Sequence, residues 1–445
     1  MEQSTRFVGM DVHKETIVVA VTATGEVGKA MAYGTFPNTA AALETLVKRL
    51  RQAGSGPLKF CYEAGPCGYG VHRTLTKMGE DCMVVAPSMI PRKSGDRQKT
   101  DKRDAGSLAV LHRGGLLTAV WVPDAAHEAM RDLIRARLAA VRAVRAARQQ
   151  LSAFLLRHER VYPGNRTPWT KAHRGWLADQ TFAQPAQRIV LEESIEAVRL
   201  SEQRRDRVDG YLRVQIPSWS LFPLVRNLCA LRGLDMIASA GLAAAIGDPS
   251  RFATAPHFMA YLGMVPSEHT SGPKRRLGAI TKAGDIHART MLIEAAHSYR
   301  YPARIARHKL AAVDAVPEAV RAIAWKAQTR LCQRFRQMTA KGMPNQVVVT
   351  AIGRELAGFV WSIACITSDP VVSGNIVTEA YDEGAALCDE VTIASEDVAQ
   401  QVQQIAPDTG VPRAPRHQPL KGTTARGERR PRQNGAVSAE GSLTR

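Results

Sequence analysis

The chain is 445 residues long, more than a single hydrophobic core accommodates, so two or three domains are expected. Its 60 Lys and Arg against 41 Asp and Glu leave a formal charge of +19, which makes nucleic acid the first candidate partner and a basic but otherwise ordinary enzyme the alternative. Scattered cysteines without a CxxC pair argue against a disulfide framework or zinc knuckle. With no leader-like start, and with the longest apolar stretch, Gly358 to Ile366, too short to span a bilayer, a cytoplasmic protein with no membrane partner is expected.

In chain order, Phe7–Asp11 and Thr16–Val21 are β-branched apolar runs around a polar His13-Lys14-Glu15 turn, which predicts an antiparallel pair. Asn38 to Leu50 has helical spacing, Leu58–Glu63 reads as a strand, Tyr69 to Met78 as a helix, and Cys82–Ala86 as a strand stopped by Pro87. This mixture predicts an α/β domain over residues 1–123. From Asp124 to about His158 the spacing predicts a long helix with an apolar stripe beside a basic one of Arg131, Arg135, Arg142 and Arg145. That basic stripe is read either as a phosphate-tracking surface or as a solvated helix face. Tyr162 to Ala186 looks irregular and Ile189 to Val214 helical, so residues 124–220 are expected to form a helical hairpin or coiled coil. Leu221 to Pro266 predicts short helices with Gly turns, and helical patterns run from Ala288 to about Cys365. Residues 221–366 are thus a mainly helical domain. Residues 367–445, first acidic and then basic and Pro/Gly-rich, are expected to be a disordered tail.

Four acids stand where strand-end sites are built. Asp11 ends the first strand and Glu63 a later one, while Asp101 and Asp104, three apart at a helix start, share one face. Such a quartet can hold one or two Mg²⁺ ions, which prefer a few carboxylates plus substrate phosphate and water, for phosphoryl transfer. Lys99, Lys102 and Arg103 supply phosphate-contacting charge beside it. Singly, each acid is equally a turn former, a surface charge or a favourable helix start.

Gly9-Met10-Asp11-Val12-His13-Lys14, Tyr62-Glu63-Ala64-Gly65-Pro66 and Lys99-Thr100-Asp101-Lys102-Arg103-Asp104-Ala105 together resemble the four-acid (DEDD) signature of bacterial insertion-sequence transposases of the IS-one-ten type. The resemblance implies an RNase H-like, RuvC-like amino-terminal domain binding Mg²⁺ or Mn²⁺. It continues through Arg251-Phe252, Tyr261–Pro266, Thr270-Ser271-Gly272, Leu277–Gly284 and Arg289–Leu292, similar to the carboxy-terminal transposase domain of that family. There the resemblance implies a nucleophilic serine: Ser271, with Ser267 the nearest competitor. Locally, Ser271 lies between His269 and the run Lys274, Arg275 and Arg276, with Lys282 further on, so a phosphate held there would meet cationic donors; a Ser-Gly turn in a basic loop is the plainer reading.

The resemblance covers roughly Arg6 to Ile366, with departures in the long 162–186 segment, in Leu228 to Gly233, where relatives tend towards a Pro-Gly turn, and in the tail. It implies a recombinase acting on donor and target DNA, guided by a structured bridge RNA, and working as a homo-oligomer (dimer or tetramer). The alternatives are a structure-selective metal-dependent nuclease with no covalent step, which has no use for Ser271, and a non-catalytic nucleic-acid-binding relative, against which the intact quartet argues.

Overall fold

The computed structural model describes residues 4–91, 100–164, 167–272 and 276–368. The first apolar runs form the antiparallel strands β1 (Arg6–Val12) and β2 (Thr16–Ala23), with Asp11 opposite Val18. β3 (Met31–Pro37) then extends the sheet, followed by α1 (Ala40–Gln52), β4 (Leu58–Glu63), α2 (Gly70–Lys77) and β5 (Asp81–Val85). The strand order is β3-β2-β1-β4-β5, with β4 parallel to β1 and β5 parallel to β4.

Alternation divides this sheet into two faces. Val8, Met10, Phe60 and Tyr62 pack with Leu43, Leu46 and Leu50 of α1 and Val71 and Leu75 of α2. The opposite face carries Cys61 and Val85 against Leu108, and Val18 and Ala20 against Ala105. Both of those partners belong to α3 (Asp101–Arg113), which Thr100 caps by accepting from the Arg103 N–H at 3.4 Å. The result is a mixed sheet with helices on both faces, compatible with an RNase H-like domain.

α4 (Ala125–Arg157) is capped by Asp124 and crossed by the long α6 (Pro185–Gln215), to which Arg137 ties it through Asp209 at 3.0 Å. Arg148 and Arg174 both bind the buried Glu202 on α6. The stretch between them is less irregular than its Pro and Trp content suggests. It holds α5 (Lys171–Ala178), and Leu177, Trp169, Trp176 and Phe182 close a small core with Phe154 of α4.

The remaining helices are α7 (Phe222–Leu228), α8 (Met236–Ile246), α9 (Ala255–Tyr261), α10 (Ile286–Ala296), α11 (Leu310–Asp314), α12 (Glu318–Ala340) and α13 (Asn345–Ser368). Between α9 and α10 the short strands β6 (Pro266–Glu268) and β7 (Leu277–Ile280) pair antiparallel. The apolar run at α13 is longer than the sequence reading allowed, and the helix is long and apolar enough to cross a membrane. Its most apolar window is nevertheless 83% buried within the protein, and its Glu355 binds Arg330 at 2.9 Å and Arg334, so it serves as the core helix of the carboxy-terminal half. The expected disordered tail lies outside the described residues apart from Thr367 and Ser368, which belong to α13.

Candidate active site

The site begins with a glycine. Gly9 on β1 has no room for a side chain: a Cβ there would overlap the Ala105 carbonyl oxygen and come within 2.5 Å of the Ala109 nitrogen, so α3 lies directly on the β1 backbone. Alternation puts Asp11 on the same face as Gly9, and Glu63 on the same face as Cys61, whose thiol donates to the Leu108 carbonyl at 3.5 Å. Met10 is opposite Tyr62 in parallel register, so Asp11 and Glu63 end neighbouring strands under the start of α3. One helical turn before Ala105 stands Asp101, and one turn before Leu108 stands Asp104. Asp101 therefore continues the helix row above β1, and Asp104 the row above β4.

A fifth side chain joins them. His13 Nε2 lies 3.4 Å from Asp11 Oδ2 and 3.4 Å from Asp101 Oδ2. One ligand atom from each of Asp11, His13 and Asp101 falls within 4.8 Å of the others, a group able to hold a metal ion, and Glu63 and Asp104 are not part of it. Read as a turn residue, His13 was missed; the signal was its i, i+2 spacing from Asp11, which puts both on one side of an extended strand. Asn38 fixes this corner by donating to the His13 carbonyl at 2.8 Å.

Lys102 and Arg103 are exposed on the first turn of α3, and Lys99 lies outside the described residues. Two buried thiols of the sheet, Cys61 and Cys82, offer no rival chemistry. Burial pushes Cys61 far up, and Cys82 up to about 12, so neither is a thiolate at neutral pH.

The α4 arginines divide by role. Arg135, Arg142 and Arg145 are exposed and Arg131 is half-buried. Arg135 pairs with Asp132 at 3.4 Å, and Arg142 reaches the His287 ring on α10 at 3.4 Å. Burial lowers the His287 pKa, and Arg142 and Arg135 lower it further while Asp285 opposes them, so this ring is neutral and accepts from Arg142.

Ser271 lies in the loop between β6 and β7, on a different element from the acids, and makes no hydrogen bond to any of them among the described residues. The hairpin is closed by the His269 N–H donating to the Arg276 carbonyl at 3.0 Å, and Thr270 Oγ1 accepts from the Arg276 N–H at 3.2 Å. Ser271 itself is exposed, followed by Gly272 at φ +84°. Ser267 instead lies across from Gly278, where a Cβ would come within 2.5 Å of its hydroxyl. Lys282 is exposed, whereas Lys274 and Arg275 lie outside the described residues.

The base of the hairpin is held tightly. A Cβ at Gly263 would overlap the Ala283 backbone and one at Gly284 would overlap the Tyr261 carbonyl oxygen. The buried Arg289 donates to the carbonyls of Leu262 at 2.6 Å and Ala283 at 2.9 Å, joining both ends of the excursion.

Residues 8–159 match the DEDD transposase family of the IS110 type, and residues 225–309 match a second model described as the transposase IS116/IS110/IS902 family. Over 358 residues the chain is 47% identical to the "Putative transposase y4qE" of Sinorhizobium fredii, covering 80% of this chain and 88% of that protein. The chain belongs to the IS110 family of transposases. The transposase for insertion sequence element IS1533 of Leptospira borgpetersenii is a more distant relative, 29% identical over 340 residues that cover 75% of this chain and 97% of that one. An IS110-type transposase is an enzyme acting on DNA, and the DEDD family to which this one belongs implies a divalent metal. The donors present suit such an ion: two carboxylates and an imidazole, partly exposed, leave coordination positions for water and substrate phosphate.

Proposed function

We propose that this transposase is a site-directed recombinase that cuts and rejoins the DNA strands of an insertion sequence. Asp11, Glu63, Asp101 and Asp104 hold Mg²⁺ or Mn²⁺, and Ser271 is the nucleophile. Residues 1–123 form the RNase H-like, RuvC-like catalytic domain, 124–220 the helical hairpin, 221–366 the domain bearing the serine, and 367–445 a tail. The observation that carries the reading is the Asp11–His13–Asp101 group, at the end of the strands on which α3 rests.

Bound metal would supply Lewis-acid activation of the phosphate and of the attacking oxygen. The protein's own residues do the rest. Ser271 Oγ loses its proton and bonds to phosphorus, the bond to the leaving strand oxygen breaks, and that oxygen takes a proton. The phosphoserine diester keeps the energy of the broken linkage, so a hydroxyl from a second strand can attack it, re-form a DNA diester and return the serine hydroxyl. Arg276 and Lys282, with Lys274 and Arg275, hold the phosphate near the hairpin. Arg131, Arg135, Arg142 and Arg145 track the nucleic-acid backbone along α4.

Ser271 belongs to a different domain from the acids, and the complete site arises in a homo-oligomer, a dimer or tetramer, on donor and target DNA, as the family resemblance suggests. Target choice comes from a structured bridge RNA by base pairing, while the protein reads backbone and shape. The enzyme works in the bacterial cytoplasm on the nucleoid and needs no membrane.

Incubating the protein with RNA and DNA substrate in Mg²⁺ should give a denaturant-resistant protein–DNA adduct. Ser271→Ala should abolish it and Ser267→Ala should not. An adduct lost only in Ser267→Ala would move the nucleophile; cleavage unaffected by either substitution would favour a hydrolytic, structure-selective nuclease.

A further inference from the structure

The segment after α10 and the first half of α12 enclose a pocket of about 460 Å³, within the range of small-ligand sites. Its walls are largely apolar, with charged side chains set among them. Arg232, Arg304, His308 and Arg321 line it, against one lining acid, Asp235, whose carboxylate is turned to the α8 amino terminus and accepts from the Ala238 N–H at 2.7 Å. Two large rings, Trp325 and Tyr301, stand 47% and 51% exposed on its wall. The Tyr301 ring is backed by the Arg300 guanidinium, 4.7 Å from its centre.

The pocket is held open by anchored groups. Lys309 is drawn under it and donates to the carbonyls of Cys229 at 2.7 Å, Leu231 at 3.3 Å and Leu234, which fixes the turn carrying Arg232. Arg232 is tied to the Pro302 carbonyl at 2.9 Å and Arg321 to that of Asp314 at 3.4 Å, bonds that use few of the five donors on each guanidinium. Gln328 also lines the pocket, 6% exposed, and among the described residues its Nε2 has no hydrogen-bond partner. A buried amide donor without an acceptor marks a place where a ligand acceptor is wanted.

Aromatic faces, several guanidiniums and an unpaired amide donor match the three parts of a nucleotide: a stackable base, a phosphate and a base-edge acceptor. We propose that this pocket receives one unpaired nucleotide of the nucleic acid the transposase handles. The base stacks on Trp325, Arg304 and Arg321 take its phosphate, and Gln328 donates to the base edge. The inference rests on the reading that the chain engages nucleic acid, and adds that it holds a nucleotide out of the duplex. An acidic peptide would satisfy the cations and the Gln328 amide but leave the Trp325 and Tyr301 rings unstacked.

The test uses the full chain and labelled oligonucleotides of one sequence as unpaired DNA, unpaired RNA and duplex DNA. Trp325→Ala should weaken binding of an unpaired strand by about 5- to 150-fold, the range for one base–aromatic stack, with duplex affinity changed less than about twofold. Trp325→Phe should restore most of it, and whichever unpaired strand is affected identifies the source of the nucleotide. A 5-bromouracil in that strand should crosslink to Tyr301 or Trp325. Unchanged affinity in Trp325→Ala, an equal loss on duplex, or crosslinks only elsewhere would overturn the pocket while leaving the recombinase reading intact. Failure of the unaltered protein to bind any oligonucleotide would overturn both.

Discussion

Gly9 of β1 lies against the carbonyl oxygen of Ala105 on α3, with no space between them for a methyl group. Because Asp101 is one turn before Ala105 and Asp11 two residues after Gly9, this backbone contact sets the distance between the two carboxylates. Gly9→Ala should therefore lift the helix, costing roughly 1–3 kcal/mol as overpacking does, and should also weaken Mn²⁺ binding. Thermal unfolding and calorimetric titration check the two effects; a loss of stability with metal affinity unchanged would separate the contact from the site.

On the proposed four-acid metal site, Asp104→Asn should abolish strand cleavage in Mg²⁺ and leave nucleic-acid affinity within about twofold. His13→Ala, removing the imidazole between Asp11 and Asp101, should weaken Mn²⁺ binding about 10- to 100-fold. A cleavage assay with a nucleic-acid titration reads the first variant and isothermal Mn²⁺ titration the second; full metal affinity in His13→Ala would leave His13 a surface residue.

Phosphate contacts should dominate binding, with each neutralised phosphate adding roughly −0.7 to −0.9 to the slope of log affinity against log salt. Replacing exposed Arg145 by Gln should make that slope shallower by about one such step. Arg137→Gln should leave it alone and lower the melting temperature instead, since Arg137 is committed to Asp209. A salt-independent affinity would rule out the α4 surface.

The Glu202 carboxyl sits below its ordinary value of 4.5: burial raises it, but Arg148 and Arg174 outweigh burial. A depressed carboxylate stabilises the fold above its unfolded pKa and loses that contribution as pH falls through the folded one. Melting temperature should thus fall below about pH 5, and Glu202→Gln should flatten this acid limb while costing on the order of 1 kcal/mol at neutral pH. An unchanged acid limb in the variant would show that other carboxylates govern it.

Much of the amino-terminal layer was legible because β1, β2, β4 and β5 are short apolar runs, and their turns are polar. β3 was not: it is an edge strand with Met31, Ala32, Gly34 and Thr35 exposed, and its pairing shifts register at Val19/Ala20, so it lacks an alternating apolar signal. α5 was hidden for the opposite reason, since its Trp-rich surroundings resembled a loop although they cap the helical hairpin. At the site, the acids could be read one by one from strand ends and a helix start, but His13 acquires meaning only when α3 folds back over β1. The pocket beside Trp325 was similarly out of reach, because its cations come from three separate stretches of chain.

The closure at Gly263, Gly284 and Arg289 has an evolutionary consequence. With the two ends of the β6–β7 excursion locked backbone to backbone, changes at its tip need not be transmitted to α9 or α10. The entropy of closing a loop grows only slowly with its length, so the stretch around Thr270 to Arg276 can gain or lose residues at little cost to the fold. Such an arrangement lets a lineage re-tune what this loop grips while inheriting the helical scaffold unaltered.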